Sequence, residues 1–186
     1  MNKYYTEIRK EIESLGFNVI NFDFDRPGGG FLLIDESQSQ DFINTFISKE
    51  NLEIKGRLSP KLLIVNPNSR LSWQFHNRRK EIWRVYKNSV GIIRSMDNNQ
   101  NEMEILKEGD IIKFQTEERH RLVGLSDIGV VAEIWIHTDL HNPSDEQDIV
   151  RLQDDYSRNP HLCPHSLHED LRGIYMRYMQ LWAMKN

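Results

Sequence analysis

A single cysteine, Cys163, among 186 residues excludes an intramolecular disulfide framework and fits a reducing compartment, the cytoplasm. No stretch stays apolar for the roughly 20 residues that a helical membrane crossing needs. The polar start Met1-Asn-Lys-Tyr-Tyr lacks the pattern of a secretory leader. Basic residues are not in excess: the net charge of −4 argues against a general nucleic-acid-binding surface. Internal repeats and low-complexity segments are also missing, which excludes solenoids and disordered linkers. What remains is an ordinary globular composition, 28% charged and 38% hydrophobic, in a chain long enough for one domain with a real core.

Read along the chain, Tyr4, Ile8, Ile12 and Leu15 share one helical face over residues 3–15, and Gly16 ends the run. Residues 17–24 read as a strand, Arg26–Phe31 as a turn, and Asp41–Ser48 as a second short helix. From about residue 52 the pattern changes to short β-type runs: Leu62–Val65, Leu71–His76, Ile82–Tyr86, Val90–Arg94, Glu102–Leu106, Ile111–Phe114, Arg121–Val123 and Val130–His137. Short strands separated by Asn-, Gly- and Asp-containing turns predict an all-β sandwich or barrel. After a polar loop at Asn142–Asp148, a capping box at Ser166–Glu169 opens a C-terminal helix over 166–184. The chain thus divides into an N-terminal extension (1–50), a barrel (51–158) and a C-terminal helix (159–186).

Four residues stand out chemically. Gln74 and His76 alternate, so on a strand both side chains point to one face. Glu81 follows on the next strand, and His120 at another strand about forty residues on. An amide oxygen, two imidazoles and a carboxylate converging inside a barrel suit a divalent ion with positions left open for substrate. The ordinary readings are a packed or surface histidine, and a Glu81 engaged in a salt bridge with a neighbouring arginine. A second cluster, His161, Cys163, His165 and His168, offers soft ligands, but Pro160 and Pro164 make it a loop and no second half of a zinc site accompanies it. Trp83 and Trp135 read as strand core residues rather than sugar platforms.

Three blocks carry a family resemblance. Arg26-Pro27-Gly28-Gly29 is similar to Arg-Pro-Trp-Gly with the Trp lost. Arg70-Leu-Ser-Trp-Gln-Phe-His-Asn-Arg-Arg-Lys-Glu-Ile-Trp83 is similar to R-L-S-L-Q-x-H-x-H-R-x-E-x-W. Asp148-Ile-Val-Arg-Leu-Gln-Asp-Asp-Tyr-Ser-Arg158 is close to D-I-V-R-x-x-D-x-Y-G-R. Over residues 22–158 the chain resembles the cupin domain of type II phosphomannose isomerases. Nothing in it resembles the Gly-rich nucleotide-binding start of the guanylyltransferase domain to which that cupin is often fused. The resemblance implies a mainly β cupin double-stranded β-helix (jelly-roll) barrel with N- and C-terminal helical extensions. It also implies a divalent metal on Gln74, His76, Glu81 and His120, with zinc first and manganese, cobalt, nickel or iron as alternatives. Two departures are visible: the family's second histidine is Arg78, and a Pro-x-Gly turn is Gln115-Thr-Glu.

The implied reaction is aldose–ketose isomerisation through an enediol-type intermediate, with mannose 6-phosphate and fructose 6-phosphate as the first pair to try. Acid–base candidates are Lys80, Glu133 and Asp154, and Arg158 or Arg151 would supply a positive field. Arg79, with Arg151 or Arg158, are the leading phosphate contacts that the resemblance implies, with Arg26 and Arg70 behind them. The partner expected is a small phosphosugar, not nucleic acid or membrane, and an exposed barrel edge would favour a homodimer. The alternative is a catalytically silent cupin that binds a sugar phosphate or nucleotide sugar as a sensor or assembly subunit. An epimerase or dioxygenase of another cupin type is a weaker third reading, because the Asp148–Arg158 block has no role in it.

Overall fold

The computed structural model describes residues 3–48 and 54–156. The expected C-terminal helix, the histidine–cysteine cluster and Arg158 lie outside the described residues.

Eleven strands form two antiparallel sheets among the described residues. The first sheet runs β1 (Val19–Asp23), β2 (Gly29–Ile34), β3 (Leu58–Val65), β10 (Gly129–His137), β5 (Arg79–Lys87), β8 (Ile111–Phe114). The second runs β11 (Ile149–Gln153), β4 (Trp73–His76), β9 (Arg119–Gly124), β6 (Val90–Ser95), β7 (Glu104–Leu106). From β3 to β10 the chain passes back and forth between the sheets, with β6 and β7 as a hairpin in the second. This is the mainly β jelly-roll barrel that the short strands predict, and each of the eight predicted barrel strands is present. No helix among the described residues is long and apolar enough to cross a membrane.

The central strands of the first sheet are buried on both faces, which fixes where everything else lies. Its outer face carries Leu32, Ile34, Leu62, Ile64, Ile82, Val130, Ala132 and Ile134. Against it pack Tyr5, Ile8 and Ile12 of helix α1 (Lys3–Ser14), and Phe42, Ile43, Phe46 and Ile47. These last residues belong to one helical segment that begins as a 3-10 turn at Glu36–Gln38. It continues through α2 (Ser39–Phe42) and widens into a π turn at Ile43–Ile47. Fully burying side chains of this size contributes about 1.5–3 kcal/mol each, so the extension is part of the fold's stability. Leu15 is half exposed instead of completing the helix face, because α1 ends at Ser14 and Gly16 turns the chain at φ +91°.

On the inner face, alternation selects the other residues of each strand. Val65, Trp83, Val85, Val90, Ile92, Ile112, Phe114, Leu122 and Val131 fill one end of the barrel. The other end is lined by polar side chains from the same strands.

A candidate metal centre in a cationic cavity

Register and alternation bring the four expected ligands together. β4 presents Gln74 and His76 to the interior, and Gln74 is the direct cross-strand partner of His120 on β9. Glu81 reaches in from β5 on the facing sheet. Its Oε1 is 3.2 Å from His76 Nε2 and its Oε2 is 3.3 Å from His120 Nε2. The candidate ligand atoms of these three buried residues all lie within 4.8 Å of one another. The Gln74 amide nitrogen is 3.5 Å from His76 Nε2, and its oxygen accepts from Ser72 Oγ at 2.6 Å.

The chemistry of this group asks for a cation. His120 Nδ1 donates to the Glu118 carbonyl at 3.0 Å, which leaves the lone pair on Nε2. Burial holds this imidazole below its ordinary pKa and therefore neutral. Its Nε2 has no hydrogen-bond partner among the described residues, yet faces a carboxylate oxygen. Two acceptors confronting each other in a buried site are repulsive unless a positive charge joins them. Burial also opposes the charged form of Glu81, but the Arg79 guanidinium, by its charge and its hydrogen bond, holds the carboxyl below the usual range, so it is an anion. The nitrogen–oxygen donor set of His76, Glu81 and His120 could hold a divalent ion, and Gln74 lies beside it.

Arg79 follows the same inward alternation as Glu81. Its Nε donates to Glu81 Oε1 at 2.7 Å and an Nη donates to His76 Nε2 at 3.0 Å. The guanidinium lies 3.4 Å over the Trp135 ring and also donates to Ser144 Oγ at 3.0 Å. The arginine pairing weighed for Glu81 is therefore present, and it occurs inside the ligand group.

A cavity of about 80 Å³ adjoins the group. Gln74, His120 and Arg79 line its deep part, Trp83, Glu133, Lys61 and Trp135 its wall on the first sheet. The half-exposed Arg26 and the exposed Glu146 mark its outer end, with Arg151 and Arg121 on the second sheet. Lys61 and Glu133 are direct partners in the β3–β10 register, and Glu133 and Trp83 are direct partners in β10–β5. Burial, with the nearby Glu81 charge, pushes the Glu133 carboxyl up to about 8. Burial likewise lowers the Lys61 ammonium. Trp83 Nε1 bridges the two carboxylates, 3.0 Å from Glu81 and 2.8 Å from Glu133.

Of the residues singled out in the sequence, Glu133, Arg79, Arg151 and Arg26 line this cavity. Others do not. Lys80 alternates to the opposite face of β5 from Glu81 and is exposed. Arg70 is tied at the surface to Asp155 by two bonds of 2.8 and 3.2 Å and is not in the cavity wall. Asp154 follows the end of β11, also outside the wall. Trp135 is buried on β10 as expected, but outside the two apolar clusters; its ring carries Arg79 and Lys61, whose Nζ lies 3.9 Å from its centroid. Trp83 joins both the apolar core and the cavity.

Lys61 and Glu146 were missed. A lysine just ahead of the apolar run Leu62–Val65 reads as a solvated strand end, whereas β3 begins at Leu58 and Lys61 faces inward. Glu146 sits in a short 3-10 turn with no periodic signal and lies 3.5 Å from Lys61.

The departures from the motif have local explanations. Arg78 points away from the ligands and clips the 139–148 segment, donating to Asp148, Asn142, Pro143 and Asp145. Gly28, where the motif has Trp, takes φ +81°, and a Cβ there would fall 2.5 Å from the Tyr156 hydroxyl, so Tyr156 occupies that space. Glu117 holds the glycine position of the altered turn at φ +61°, and its N–H donates to the His76 carbonyl at 2.7 Å.

Comparison with known proteins agrees with this architecture. The family model described as mannose-6-phosphate isomerase C-terminal matches residues 33–154. A mutant of Bacillus subtilis oxalate decarboxylase superposes with a TM-score of 0.51 at 13% identity, covering 75% of this chain and 32% of that one. KdgF from a Halomonas species gives 0.47 at 12% identity, covering 65% and 90%. Vicilin from hazelnut, Corylus avellana, gives 0.48 at 14% identity, covering 69% and 33%. The chain thus spans about a third of the decarboxylase and vicilin chains. No curated protein matches it in sequence. The fold is a cupin barrel.

Proposed function

Since the chain belongs to the mannose-6-phosphate isomerase C-terminal family, we propose that it is a metal-dependent sugar-phosphate aldose–ketose isomerase. Mannose 6-phosphate and fructose 6-phosphate are the first pair to test, with other hexose or heptose phosphates behind them. The observation that carries the reading is the opposed, cation-demanding contact of Glu81 with His120, set beside a buried acid–base pair in a cationic cavity. A divalent ion held by Gln74, His76, Glu81 and His120 would polarise the substrate carbonyl and stabilise negative charge on oxygen.

The chain's own residues supply the rest. Four arginines line the cavity, Arg26, Arg79, Arg121 and Arg151, beside the Lys61–Glu133 pair, against the one further carboxylate of Glu146. That surplus favours an anionic ligand. The interior of about 80 Å³ is small beside the roughly 300 Å³ or more of typical ligand sites. The reacting end of a sugar phosphate would enter, and the phosphate would stay outward, toward Arg26 and Arg151. Glu133 and Lys61 have their proton affinities pushed toward each other by burial. One of the pair can take the carbon-bound proton while the other gives a proton to oxygen. Trp83 ties Glu133 to Glu81, fixing the Glu133–Lys61 pair relative to the candidate ligand group.

Metal-reconstituted protein should convert mannose 6-phosphate to fructose 6-phosphate. The His76→Ala/His120→Ala double variant should lose that turnover, and Glu133→Gln should lower kcat by about 10²–10⁴-fold. Metal retained with no turnover on any hexose or heptose phosphate would contradict the isomerase and support a silent sugar-phosphate-binding cupin.

A further inference from the structure

The Arg79 guanidinium supplies positive charge to one side of the ligand group, at Glu81 and His76, and leaves the Glu81–His120 contact without any. It engages two of the four candidate ligands at once, Glu81 Oε1 at 2.7 Å and His76 Nε2 at 3.0 Å. A neutral imidazole nitrogen has one lone pair, so His76 Nε2 either accepts from Arg79 or binds a metal ion. Arg79 cannot yield by losing its proton, because guanidinium stays charged in proteins. A second cation alongside it, in a site where Arg79 and Glu81 are only 2% and 1% exposed, would be strongly repelled. Two holds remain for Arg79 if it leaves Glu81: the Trp135 ring 3.4 Å away, and Ser144 Oγ, itself bonded to Asp148 at 2.6 Å.

We propose that Arg79 is a tethered counter-cation that competes with the divalent ion for His76 and Glu81, so that metal loading turns the guanidinium out toward the cavity. The inference rests on the metal reading of the four ligands and is independent of which sugar is the substrate. In the empty site Arg79 neutralises Glu81, which would otherwise be a buried carboxylate facing two imidazoles. In the loaded site it is available to an oxyanion in the cavity it already lines. Linkage then requires that an anion engaging Arg79 tighten the metal by the factor with which the metal tightens the anion.

Zinc affinity, measured by competition with a chromophoric chelator, separates the outcomes. Arg79→Met should bind Zn²⁺ at least about tenfold more tightly than wild type, within the usual range of coupling between sites. Arg79→Lys should fall between, since an ammonium cannot bridge both ligands as the planar fork does. Zn²⁺ should also change the tryptophan emission of the wild type as the guanidinium shifts over the Trp135 ring, and Trp135→Phe should remove the part of that change that depends on Arg79. Equal or weaker zinc binding in both Arg79 variants would overturn the proposal and make Arg79 a positioning residue for Glu81. If Arg79→Met does not fold, saturation of the wild type with no Trp135-dependent emission change overturns it equally. Glu81→Gln is the control on the premise: zinc binding as tight as wild type there would place the ion elsewhere and remove both readings.

Discussion

Glu133 faces Lys61 across β3–β10, and burial together with the Glu81 charge behind Trp83 outweighs that lysine and pushes its carboxyl from 4.5 up to about 8. The folded protein keeps this proton where the unfolded chain has lost it. Stability from this group is therefore fully present below about 4.5 and declines as pH rises toward 8. Glu133→Gln preserves the shape and cannot ionise. Measured by urea unfolding, the variant should gain on wild type as pH rises from about 5 to about 8, by up to about 1.4 kcal/mol per pH unit. A stability difference that stays flat over that range would show that Glu133 is ionised in the folded state. At this scale the sequence was informative where chemistry follows from alternation along one strand, as for Gln74 and His76. It was silent where chemistry depends on pairing between strands. Lys61 and Glu133 are 72 positions apart in the chain and neighbours only in the sheet.

The 139–148 segment shows how one element is held against the centre. The Arg78 side chain donates to four of its residues, and Asp148 also accepts from the Asn77 and Arg78 backbone N–H groups at 3.1 and 3.0 Å. Ser144 on the same segment contacts Arg79, so the clip supports the site indirectly. Arg78→Ala should speed amide hydrogen exchange across 139–148 and cost about 1–3 kcal/mol, with metal stoichiometry unchanged because Arg78 contacts no ligand. Loss of the metal in this variant would contradict the assignment of Arg78 to the loop. The barrel strands were legible as short apolar runs between turns. Two strands were not. β2 is buried on both faces, under α1 and over the barrel interior, and so shows no alternation after its glycines. β11 mixes Ile149, Arg151 and Gln153 at a sheet edge, where polar and apolar residues follow no simple period.

Across the whole molecule, the first sheet separates two buried regions. The outer one, closed by α1 and the 36–47 helical segment, is wholly apolar in its packing cluster, whereas the inner one is apolar at one end and ionisable at the other. The folded chain thereby holds two carboxyls, two imidazoles, a lysine and two arginines out of water, and their mutual charge balance makes that tolerable. The balance is incomplete at Glu81 and His120, where two acceptors meet with no cation between them. Metal content by elemental analysis after reconstitution and desalting tests this point directly. The account predicts one divalent ion per wild-type chain, lost in His120→Ala while the variant remains folded by circular dichroism. An ion retained in folded His120→Ala, or none bound by the wild type, would contradict it.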